Sequence, residues 1–223
     1  MAEEFLLNDV EVRVLGSLIE KQMTTPEYYP LTLNALTHAC NQISNRDPVV
    51  AYDEKTVVRA LESLREKNLA YIFYGSESRV PKYKHVVPEV LHLTPQQVAL
   101  MCVLMLRGPQ TVGELRGRTN RLYEFTELSE VEATLEELIR HELQPLVARL
   151  PRQPGRKESR YAHLLSGPIE VEAQEAAPRP EPARREVLAE NEKIARLEAE
   201  VLTLRNEVAE LRQQFDDFRK QFE

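Results

Sequence analysis

Asn41, Gln42, Asn45 and Arg46 stand just ahead of Lys55, Thr56 and Arg59. Side-chain amides offer paired donors and acceptors that match base edges, and guanidinium and ammonium groups match phosphate oxygens. Such residues, in a loop and on the outward side of the helix that follows it, suit contact with DNA or with a polar protein surface. Arg79, Lys82 and Lys84 form a second basic group. Arg152, Arg156, Lys157 and Arg160, beside Arg149 and opposed only by Glu158, form a third. A basic hairpin tip tracks a backbone or a minor groove, and it reads equally as a solvated loop. Arg107, Arg116, Arg118 and Arg121 make a fourth group, which joins such a surface or holds neighbouring elements together.

Opposing charge limits this reading. Asp53, Glu54, Glu62 and Glu66 cancel the four basic residues of the segment 53–67, and between Glu127 and Glu142 six glutamates face one arginine. Phosphates are repelled by that second segment, more so at low salt. The net charge of −7 is also uneven: residues 1–165 hold 20 basic and 22 acidic side chains, and residues 166–223 hold 9 and 14. Nucleic-acid contact is therefore expected from local patches and not from a basic coat.

Catalytic chemistry finds little support. Only seven glycines are present and none forms a phosphate-cradling loop. His38 and Cys40 lie two apart on a helical segment and so point to different sides. Cys40 and Cys102 are far apart and the five histidines are scattered, which leaves no metal-ligand spacing. The expectation is a protein that is not an enzyme and that needs no cofactor and no metal. Residues 1–8 carry Glu3 and Glu4 and do not read as a secretory leader, and the longest apolar run, Val98–Leu106, is too short to span a bilayer. With two dispersed cysteines, a reduced cytoplasmic setting without membrane contact is expected.

These groups are positioned by a repeat. Val12, Leu15, Leu18 and Ile19 match Val98, Met101, Leu104 and Met105 at an offset of 86, each set marking one buried helix face. Thr32 and Leu36 match Thr111 and Leu115 at an offset of 79, and Thr111 with Glu114 spells a capping box. Val57, Leu61, Leu64 and Leu69 match Val131, Leu135, Leu138 and Leu143 at an offset of 74, with Asp53 and Ser129 as the expected helix caps. Each copy closes with two short β-like runs around a polar turn, 69–74 with 79–86, and 146–150 with 161–164. Helix, helix, helix, hairpin is the winged variant of the helix-turn-helix. The first copy is longer around residues 23–31 and 41–52, and added loop length is either a grafted function or a neutral surface insertion.

The predicted fold class is mainly α with small β-hairpins. Tandem winged helix-turn-helix domains span 1–88 and 89–165, followed by a Pro-rich linker over 166–185 and a coiled-coil helix over 186–223. In that last segment Ile194, Leu197, Val201, Leu204, Val208, Leu211, Phe215, Phe218 and Phe222 alternate three and four apart. With Ile194 at position a, Lys193–Glu198, Glu200–Arg205 and Glu207–Arg212 become attractive pairs between two parallel copies, which predicts a homodimer.

The stretch CNQISNRDPV, residues 40–49, resembles the signature of the YceH-like family of bacterial proteins, and LRGPQTVGELRGRTNRLYEF, residues 106–125, resembles that family's second motif. The likeness covers about Leu7 to Leu165. It implies a tandem winged-helix fold and brings no activity with it. Ile43 departs from the pattern, which has lysine there, and the missing charge weakens a phosphate contact at that position.

Overall fold

The computed structural model describes residues 6–74, 80–152 and 158–168. Among them the chain is mainly helical, with seven α-helices and two small antiparallel sheets. Arg79, Arg156 and Lys157, nearly all of the linker and the whole 186–223 segment lie outside the described residues.

Helix α1 (Asp9–Thr24) begins at Asn8, whose Oδ1 accepts from the Val10 and Glu11 amides while the Glu11 carboxylate accepts from the Asn8 N–H. This reciprocal cap satisfies donors that the first turn leaves open. Every residue from Glu11 to Ile19 is buried, so α1 is enclosed and not merely faced by a core. Its charged members find partners inside: the Glu11 carboxylate takes the Lys67 ammonium at 2.6 Å, and the two terminal nitrogens of Arg13 donate to the carbonyls of Cys40 and Pro48.

Helix α2 (Leu33–Cys40) is capped by Thr32. Helix α3 (Glu54–Glu66) is capped by Asp53, whose carboxylate accepts from the Thr56 amide at 2.8 Å as the spacing predicts. It buries Val57, Ala60, Leu61 and Leu64. Strands β2 (Ala70–Phe73) and β3 (Lys82–His85) follow as an antiparallel hairpin, joined on the β3 side by β1 (Leu31–Thr32). Residues 23–31, expected from the sequence as added loop, end in that third strand, which Leu31 forms with Thr32.

After the short α4 (Val87–Val90), the order repeats as α5 (Pro95–Arg107), α6 (Val112–Thr119), α7 (Leu128–Ile139), β4 (Val147–Arg149) and β5 (Tyr161–His163). The capping box on α6 forms as predicted, with Glu114 and Thr111 exchanging bonds. The α7 cap does not. That helix starts at Leu128 behind Glu127, and Ser129 bonds the Glu127 carboxylate, because Glu130 reaches back to Thr126 and opens the helix two residues earlier. Gln110 bridges Tyr161 in the second repeat, where β1 pairs Leu31 with Tyr83 in the first, and Leu31 and Gln110 are 79 apart like the rest of that stretch.

One hydrophobic cluster runs through both repeats. Its centre is α1 against α5, whose residues Gln97–Leu106 are all buried, which accounts for an apolar run with no polar side. The Cys102 thiol lies 3.5 Å from the Gly16 carbonyl oxygen, and Gly16 and Cys102 are 86 apart, so the repeats meet at equivalent positions. Gly16 is what allows this approach: a Cβ there would sit 3.0 Å from Leu106 Cδ2 and 3.2 Å from Met105 Cβ. The described residues accordingly form one compact unit.

Two terms oppose each other at this glycine. Alanine gains about 1 kcal/mol of helix propensity and loses a similar amount to crowding. Gly16→Ala is therefore expected to leave stability within about 1 kcal/mol of the parent, whereas Gly16→Val, larger and without that helix gain, should lose about 2–3 kcal/mol. Urea unfolding midpoints of the two variants check this.

Candidate functional site

The segment 41–52, an insertion in the first repeat, is pinned at several points along its length. Asn41 clasps the Tyr52 backbone from both ends of its amide, Nδ2 donating to the carbonyl and Oδ1 accepting from the N–H, each at 2.8 Å. Arg46 turns inward. Its guanidinium donates to both Glu20 carboxylate oxygens at 3.0 and 2.6 Å, to the Ala39 carbonyl and to the Gln42 amide oxygen, and its side chain has no exposed surface. The Asp47 amide donates to the Leu106 carbonyl at 2.9 Å, and Asn45, in the left-handed region at φ 60°, accepts from Arg107. Asparagine tolerates that backbone better than most side chains.

The expectation that Asn41 and Arg46 face a ligand gives way to this geometry. Both have their polar atoms engaged inside, and a buried arginine already on a carboxylate has no donor directed at solvent. Gln42 is half-buried on Arg46, which leaves Asn45 as the exposed member of the loop set. Ile43 is 84% exposed, so the residue that departs from the family pattern is a surface position.

Lys55 and Arg59 are exposed on α3, away from its buried side, and Thr56 is half-buried beside them. On the hairpin, Tyr71 pairs with Lys84 and Phe73 with Lys82, so these four share one sheet face. The Lys84 ammonium stands 5.8 Å from the Tyr71 ring centre, within cation–π range. Tyr71, Phe73 and Tyr74 are exposed. These aromatics are absent from the sequence-derived set, although Tyr71 and Phe73 sit two apart in a strand opposite two lysines similarly spaced, the signal that would have found them. In the second repeat Arg160 donates to the Pro109 carbonyl at 3.0 Å and approaches Glu114 at 3.4 Å, fixing β5 to the start of α6. Arg152 is exposed. The outward side of α7 carries Glu130, Glu132, Glu136 and Glu137, all exposed.

His38 is exposed while Cys40 is buried, on different sides of α2. Burial pushes the Cys40 thiol up to about 11, so at neutral pH it is protonated and a poor nucleophile. Among the described residues no three His, Cys, Asp or Glu side chains converge to hold a metal ion, and no helix is long and apolar enough to cross a membrane.

The family described as "Protein of unknown function, DUF480" matches residues 7–156. UPF0502 protein GSU0233 of Geobacter sulfurreducens is 59% identical over 201 residues, covering 90% of this chain and 91% of its own. A UPF0502 protein of Geotalea uraniireducens is 59% identical over 198 residues, covering 89% and 90%. One of Opitutus terrae is 57% identical over 180 residues, covering 81% and 78%. The chain belongs to this family, a placement consistent with the likeness carried by residues 40–49 and 106–125.

Removing one partner of a buried ion pair costs about 3–5 kcal/mol, because the other charge is left without compensation. Arg46→Ala should lose about that much in urea unfolding, and adding Glu20→Ala to it should recover part of the loss, the reverse of what a surface contact residue would do.

Proposed function

We propose that this member of the DUF480 family is a non-enzymatic binding protein of two winged helix-turn-helix domains in tandem, DNA-associated or regulatory, and dimerised by the helix of residues 186–223. The observation that carries the DNA reading is the sheet face of Tyr71, Phe73, Lys82 and Lys84. Aromatic rings stack on bases or ribose while ammonium groups neutralise phosphates, and the two together are the equipment of a nucleic-acid surface. Lys55 and Arg59 add two exposed cations on α3, the helix that reads DNA in proteins of this plan. The helix–helix–helix–hairpin order, present twice, supports the fold assignment.

A second reading is a protein–protein adaptor, and a separate observation favours it. The corresponding helix of the second repeat, α7, presents four glutamates outward, a surface suited to a basic protein partner and repelled by phosphate.

Duplex DNA retention across a salt gradient separates the two readings. On the DNA reading, Lys55→Ala with Arg59→Ala weakens binding and lowers the slope of log affinity against log salt by about 1 for each lost phosphate contact. An absence of complex with mixed duplexes at about 50 mM salt, where nonspecific affinity is favoured, counts for the adaptor.

The dimer is tested apart from the ligand. The intact chain should scatter light as twice the monomer mass, and removal of residues 186–223 should yield monomer. A monomeric intact chain at tens of micromolar sinks the dimer, and a dimer that survives truncation moves its interface to residues 1–185.

A further inference from the structure

A cleft of about 260 Å³ opens between the repeats, lined by Lys21 and Asn45 from the first and by Arg107, Arg118, Asn120 and Arg121 from the second. Its charge is one-sided. Four of its lining residues are cations and one, Glu20, is an acid, held by Arg46 at 2.6 Å and approached by the Lys21 ammonium at 3.8 Å. Arg107 has a neutral partner, the Asn45 amide oxygen. Arg118 rests on the Gln110 amide oxygen and stands 3.7 Å from Glu114 on its own helix. Arg121 is exposed, with no hydrogen bond or ion pair among the described residues. Burial, and then Arg118 and Arg46 nearby, hold the Arg107 guanidinium below its usual range.

A chain with a net charge of −7 has no general excess of cations to place here. Like charges gathered in a concave site raise the local potential and concentrate anions. Three planar guanidiniums match phosphate oxygens, with Asn45, Asn120 and the Lys21 ammonium as further donors. The volume is slightly below the lower end of ordinary ligand pockets, about 300 Å³, which suits a compact polyanion. A duplex backbone presents its phosphates along a convex edge and fits a recess between two lobes poorly.

We propose that this cleft binds a small phosphorylated ligand, a pyrophosphate-like polyanion clamped between the two repeats. The ligand draws Lys21 and Asn45 towards Arg107, Arg118 and Arg121 and stiffens the joint that the 41–47 segment already makes with the end of α5. The site does not depend on the nucleic-acid reading.

Calorimetric titration of the full chain with inorganic pyrophosphate at low salt tests it. A saturable heat with one ligand per chain is expected, weakened about tenfold by Arg121→Gln and about tenfold by Lys21→Gln, the loss of one charge-assisted contact each. Arg65→Gln, an exposed cation on α3, should leave it unchanged. Arg121→Gln removes no contact among the described residues, and Lys21→Gln gives up only a 3.8 Å approach to Glu20, which Arg46 still holds, so both should fold, and unchanged thermal unfolding without ligand checks that. Absence of heat at millimolar pyrophosphate, or equal affinity in the parent and both cleft variants, overturns the proposal. Duplex DNA runs as a parallel arm: variants that lose DNA retention while the parent gives no pyrophosphate heat assign the arginines to a nucleic-acid backbone and overturn the small-ligand site.

Discussion

The described structure depends on the close approach of two helices at a glycine. With no side chain at residue 16, α1 brings its backbone within reach of Cys102, Met105 and Leu106, and α5 loses water from every side. Burial of a large aliphatic side chain contributes about 1.5–3 kcal/mol, so a helix enclosed from Val98 to Leu106 is a main source of cohesion for the whole unit. The two repeats share this core, and the cations that line the cleft are brought together by it.

The second constraint is polar. Two arginines, Arg13 and Arg46, are buried at the joint, and only Arg46 has a carboxylate as its hydrogen-bond partner; Arg13 relies on the carbonyls of Cys40 and Pro48. Buried guanidiniums are costly unless their donors are taken up, which explains why the segment from Asn41 to Tyr52 follows a fixed path: the Asn45 and Pro48 carbonyls and the Gln42 side-chain oxygen are among the acceptors. A stretch that looks like spare loop length is therefore a bracket between α1, α2 and the end of α5. The residues 40–49 that carry the family likeness are, for the most part, parts of that bracket.

This explains what was legible in the sequence. Helix starts set by local chemistry, Asp53 on α3 and Thr111 with Glu114 on α6, follow from spacing alone. The hairpins also follow, since strand propensity and turn residues are local. The inward turn of Arg46 was not legible, because its partner Glu20 is 26 residues away and nothing nearby distinguishes a strut from a contact residue. The aromatic members of the β2 face were missed for another reason: apolar side chains in a strand are ordinarily assigned to the core, and only the register against Lys82 and Lys84 shows which of them face out. Arg107, Arg118 and Arg121 are already a group in the sequence, but that Lys21 joins them across a cleft follows from the packing of the repeats, which no local pattern encodes.

The meeting of Gly16 with Cys102 carries a consequence for how the two halves vary. A helix that touches its own repeat-equivalent at the equivalent position is comparable, inside one polypeptide, to a contact in which two identical subunits present the same residue to each other. In a true homodimer any substitution occurs twice, so a surface insertion that suits one subunit is imposed on the other. Two repeats in one polypeptide are free of that coupling: glycine stands at one of the two equivalent positions and cysteine at the other, and among the described residues the bracket of 41–52 has no counterpart in the second repeat. The fused pair is free to be asymmetric, with a basic, aromatic sheet face on one lobe and an acidic helix on the other.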